Sequence, residues 1–67
     1  MPRYFFHLRN GKLTEDSDGK ELADIAAARQ QARRIARELV EAGESPKASI
    51  VVADDHRLLF EINLLAR

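Results

Sequence analysis

One stretch of this chain has the spacing of a surface helix, and the segments on both sides of it carry strand and turn signals. Ile25, Ala28, Ala32, Ile35, Ala36 and Leu39 recur every three or four positions, which a helix turns into one apolar stripe. Asp24 stands where an N-cap carboxylate accepts a free first-turn N–H, Gly43 where a left-handed residue closes a helix, and Pro46 blocks continuation. The spacing therefore predicts a helix from Ile25 to Ala42, about 27 Å long at 1.5 Å per residue. A lone amphipathic helix cannot bury its stripe against itself, so the flanks must supply a sheet.

Before the helix, Tyr4-Phe5-Phe6-His7-Leu8-Arg9 runs into Asn10-Gly11, a strong short signal for a two-residue hairpin turn. That loop sets Arg9 opposite Lys12 and Leu8 opposite Leu13, so Tyr4, Phe6, Leu8 and Leu13 share a core face. Asp16-Ser17-Asp18-Gly19 then reads as a turn with solvated carboxylates. After Pro46, Ala48 to Ala53 and Leu58 to Leu64 form a second hairpin. A three-residue loop at Asp55 to Arg57 places Val52 opposite Phe60 and Ile50 opposite Ile62, whereas a two-residue loop pairs Val51 with Phe60. The first register brings the larger side chains together and is preferred. The predicted architecture is an α+β domain over residues 1–67, two-layered, in ββαββ order, with one helix packed on an antiparallel sheet.

The chain of 67 residues has no cysteine, so no disulfide can supplement its core. The scaling law has such a chain bury roughly 6,700 Å², of which about 60% apolar gives about 100 kcal/mol. Ordering costs about 1.5 kcal/mol per residue, and the two terms nearly cancel. Self-association is the expected extra source of stability. If Tyr4, Phe6, Leu8, Ile50, Val52, Phe60, Ile62 and Leu64 meet the helix, Phe5, Val51, Leu59 and Leu65 face the other way. They would form an apolar patch of the kind soluble monomers hide, and a homodimer through it is expected. No apolar run approaches the roughly 20 residues of a membrane span, and no secretory signal opens the sequence. A cytoplasmic location is expected.

Eleven basic and eleven acidic residues cancel, which removes any whole-protein attraction to polyanions. The charges are nevertheless segregated, since an acidic connection leads into a helix bearing Arg29, Arg33, Arg34 and Arg37. Arg29, Arg33 and Arg37 recur every four residues along the flank of the buried stripe and could contact phosphates. The competing reading is a solvated face, with Arg34 paired to Glu38 and Arg37 to Glu41. Weak nucleic-acid binding through this flank is the alternative function.

The opening Pro2-Arg3-Tyr4-Phe5-Phe6, Asn10-Gly11, the Asp16 to Gly19 turn, Glu21-Leu22 with Asp24 before an Ala/Arg helix, and Asp54 after a Val strand form one pattern. It resembles a family of short bacterial proteins classed as a domain of unknown function. The resemblance covers nearly the whole chain, and departs from the family pattern at His56-Arg57, where a Gly is expected. It implies neither a reaction nor a site.

The remaining chemistry-bearing residues form no catalytic pattern. Asp16, Asp18 and Glu21 suggest part of a calcium loop, but Ala27 stands where the twelfth-position Glu belongs. His7 and His56 have no metal-ligand spacing, with His7 expected on the sheet face away from the helix and His56 at a turn tip. Ser17, Ser45 and Ser49 lie in no nucleophile elbow, and no Gly-rich phosphate loop is present. The expectation is a non-enzymatic interaction or regulatory module that self-associates, without cofactor, metal or small-molecule substrate.

Overall fold

The computed structural model describes residues 1–64. Strands β1 (Arg3–Arg9), β2 (Leu13–Thr14) and β3 (Lys20–Glu21) precede helix α1 (Ile25–Glu41), and β4 (Ser49–Ala53) and β5 (Leu58–Asn63) follow it. The five-stranded sheet is antiparallel, in the order β2-β1-β4-β5, with β3 also paired to β1. The fold is thus the α+β arrangement predicted, with β3 as an added short strand. Among the described residues no helix is long and apolar enough to cross a membrane.

The helix ends are set by local chemistry. The Asp24 carboxylate accepts the Ala27 N–H at 2.9 Å. At the other end Gly43 (φ 95°) donates to the Val40 carbonyl and Glu44 to the Leu39 carbonyl, the pair of bonds that closes a helix around a left-handed residue. Ala28, Ala32 and Ala36 are buried against a cluster that includes Tyr4, Ile50, Val52 and Leu64, with Ile35 and Leu39 alongside. Small residues on the contact stripe let the helix sit close to the sheet. Ile25, expected on that stripe, is instead exposed at the first position of the helix.

Two registers differ in instructive ways. Arg9 pairs with Leu13 and Leu8 with Thr14, so the first loop has three residues, Asn10-Gly11-Lys12, and not the expected two. Gly11 alone takes positive φ, whereas the two-residue turn needs it at both central positions. The one-residue slip turns Leu13 away from the core, and it is 45% exposed. In the second hairpin Val52 opposes Phe60 and Ile50 opposes Ile62 as predicted, but Ala53 opposes Leu58. The loop is therefore Asp54 to Arg57, one residue longer than expected, and Leu59 is the extra residue of a bulge. The Asp54 carboxylate accepts the His56 and Arg57 N–H groups, each at 2.8 Å. Side-chain capping thus closes the turn without a glycine.

Candidate functional site

The register puts Phe5, His7 and Arg9 of β1, Ser49, Val51 and Ala53 of β4, and Glu61 and Asn63 of β5 on the sheet face away from the helix. That face is mixed in character, and several of its polar groups bond to one another. Glu61 accepts from the Ser49 hydroxyl and pairs with Arg9 Nε at 3.2 Å. The Phe5 and His7 rings lie parallel, 6.3 Å apart. Val51, between His7 and Glu61, is 1% exposed.

Of the four residues expected to form an apolar self-association patch, the structure describes Phe5, Val51 and Leu59, and it does not bring these three together on one exposed face. Val51 is already buried within one chain, Leu59 packs against the core cluster from its bulge, and Phe5 is half-buried beside His7. Leu65 lies outside the described residues. Leu58 takes the outer position opposite Ala53 that simple alternation gives to Leu59.

Asp16 ties the β2–β3 excursion to β1. Its Oδ2 accepts the Phe6 N–H at 3.2 Å, and its Oδ1 accepts those of Asp18 and Gly19 at 3.1 and 3.2 Å. Its own N–H donates to His7 Nδ1 at 3.0 Å. Burial alone would raise the Asp16 carboxyl, but the three N–H donors and the nearby His7 hold it below its ordinary value of 3.8. Asp54 is held below the same value by the His56 and Arg57 N–H groups. Asp16 is thus no solvated turn carboxylate: it fills the gap between β2 and β3 and satisfies the β1 amide left there. Among the described residues no cluster of three or more His, Asp or Glu could hold a metal ion.

Among the described residues one edge of the sheet is closed and the other open. On the closed edge of β1, β2 and β3 pair at either end, Asp16 takes the middle amide, and Leu22 N–H donates to the Pro2 carbonyl. At the opposite side the sheet ends in β5, which pairs only with β4 among the described residues. Leu64 N–H donates to the Ala48 carbonyl. By antiparallel alternation Ile62 also faces β4, and the main-chain groups of Glu61 and Asn63 point out of the open edge.

The arginine flank adjoins this edge. The Arg29 guanidinium lies 4.6 Å from the centroid of the Phe60 ring on β5, a cation–π contact. Arg33 and Arg37 follow on the same i,i+4 row and are exposed. The expected Arg34–Glu38 and Arg37–Glu41 pairs do not form. Ion pairs among the described residues join Arg3 to Glu21 and Arg9 to Glu61. Periodicity located the row, but sequence reasoning missed the open edge, because strand order is a property of the whole fold.

No curated protein and no solved structure matches the chain. A family model described as a domain of unknown function (DUF6894) covers residues 3–66, taking in every strand and the helix described above, and the chain belongs to that family.

Proposed function

We propose that this chain is a non-enzymatic interaction module that binds by taking an extended segment onto the open edge of β5. The observation that carries the proposal is the asymmetry of the sheet. Its β1 edge is closed by two short strands and a carboxylate, while β5 has no partner on its outer side among the described residues and turns the main-chain groups of Glu61 and Asn63 outward. Edge strands are commonly blunted by Lys, Pro or bulges. The Leu58-Leu59-Phe60-Glu61-Ile62-Asn63 strand has no Lys or Pro, and its bulge is confined to Leu59. Such an edge suits strand addition, in which main-chain bonds give affinity and alternate side chains give selectivity.

Ser49, His7 and Asp16, three of the chemistry-bearing polar groups, are engaged in holding the fold. Ser49 donates to Glu61, His7 Nδ1 accepts from Asp16, and both Asp16 oxygens accept main-chain amides. The mixed outer face, with Val51 buried, also offers a poor seat for the face-to-face homodimer expected from sequence.

The test is to select extended heptapeptides from a random displayed library on the immobilised chain and map them by amide NMR. Selected peptides should shift and protect the Glu61 and Asn63 amides, and Asn63→Pro, which removes one outward N–H at an edge position, should abolish binding while the fold is kept. Peptides that bind without touching those amides, or equally well to the Pro variant, would refute the proposal.

A further inference from the structure

We infer that the segment accepted by β5 is an acidic extended peptide of another protein, with carboxylates at alternate positions, and not a second copy of this chain. The inference rests on β5 being the binding edge and names its partner class. Helix α1 lies over β4 and β5, and the Arg29–Phe60 contact shows that the Arg29 side of the helix overlooks β5. Ile25, Arg33 and Arg37 share that row, which ends in Glu41. Three guanidiniums against one carboxylate leave the row basic, and Arg33 and Arg37 make no ion pair among the described residues.

A strand added to β5 would lie about 4.8 Å farther out, with every second side chain turned toward the helix layer. Same-side positions along such a strand repeat about every 6.7 Å. The arginine row repeats about every 6 Å along the helix. Alternate carboxylates and successive guanidiniums therefore have similar repeats, although the row turns about 40° around the helix at each step, so Arg29 and Arg33 face the edge more directly than Arg37. On the other face the guest strand would meet Glu61, whose charge Arg9 already balances, and the neutral Asn63.

The same geometry opposes self-pairing. Antiparallel twofold pairing of two β5 strands would place both helices on one face of a continuous sheet, with their basic rows turned toward each other. Like charges meeting across an interface disfavour that partner. A nucleic acid could satisfy the guanidiniums, but it cannot continue the main-chain ladder at Glu61 and Asn63. The edge and the row together favour a peptide.

The test titrates the labelled chain with Thr-Glu-Val-Glu-Val-Glu-Val, its Gln-for-Glu and Lys-for-Glu analogues, and a short oligothymidylate, at low and moderate salt. The acidic peptide should protect the Glu61 and Asn63 amides and bind about tenfold tighter than the Gln analogue, given modest contributions from each exposed pair. That preference should fade with salt and fall to about twofold or less in Arg33→Gln/Arg37→Gln, which leaves only Arg29, in its contact with Phe60. Equal binding of the acidic and Gln peptides at the edge would overturn the charge inference and leave the edge reading standing. No peptide at the edge would overturn both. Concentration-dependent protection of the same amides in the free chain would show self-pairing and overturn the inference. So would oligothymidylate binding tighter than the acidic peptide without touching β5.

Discussion

Replacing Asp16 with Ala should detach the β2–β3 excursion from β1 while leaving the helix-facing core packed. The bond from the part-buried Phe6 N–H ends on a charged acceptor, and such bonds contribute about 1.5–3 kcal/mol. Water can replace the acceptor for the exposed Asp18 amide and largely for that of Gly19, so each adds about 0.5 kcal/mol. The loss is then about 2.5–4 kcal/mol, a large part of the roughly 3–10 kcal/mol typical of a domain this size. With a urea slope of about 1 kcal/mol per M, the unfolding midpoint followed by circular dichroism should fall by about 2 M or more. Asp16→Asn, which offers one acceptor oxygen in place of two, should fall in between.

The same series makes a pH prediction. The Asp16 carboxyl is held below 3.8 in the folded chain, so the unfolded chain binds more protons as pH falls past that value. Its contribution is complete above about pH 4 and is lost as pH falls through the folded value. The gap between wild type and Asp16→Ala should therefore narrow in acid. An unchanged midpoint, or a gap that stays constant down to about pH 2, would refute the reasoning.

Two further substitutions test the packing. Gly19→Ala would need a side chain at φ +70° with its Cβ 2.8 Å from the Phe5 ring, costing about 1–3 kcal/mol in thermal unfolding and displacing the Phe5 ring resonances. Ala32→Leu, at a position with 0% exposure, should push the helix off the sheet and lower stability by about 1–3 kcal/mol. The exposed Ala26→Leu should stay within about 0.5 kcal/mol of wild type in the same urea titration.

What could be read from sequence depended on the range of the forces involved. The helix was legible because Asp24 and Gly43 act on amides and carbonyls within a turn of themselves. The Val52–Phe60 register was legible because side-chain size decides it. Leu13 was misplaced because Asn10-Gly11 admits two loops, and a single residue between them reverses a face. The Leu59 bulge escaped notice because Asp54 caps a longer turn that carries no glycine to announce it. Strand β3 is two polar residues, Lys20 and Glu21, that pair only where Asp16 and Arg3 hold them. The arginine row could be counted from the sequence, but its neighbour β5 could not, since that proximity follows from strand order.

The central pair of strands also fixes when the domain can form. Phe6 on β1 pairs with Val52 on β4, residues near opposite ends of the chain, and β1 holds β2 and β3 on its other edge. The aromatic segment, made before β4 and β5, must therefore wait for that hairpin before it can be buried. Contacts of such long sequence separation are slow to close. During that interval Tyr4, Phe5 and Phe6 are open to chaperones and to neighbouring nascent chains. Loss of the final hairpin would remove not one element but the strand on which the whole sheet is assembled.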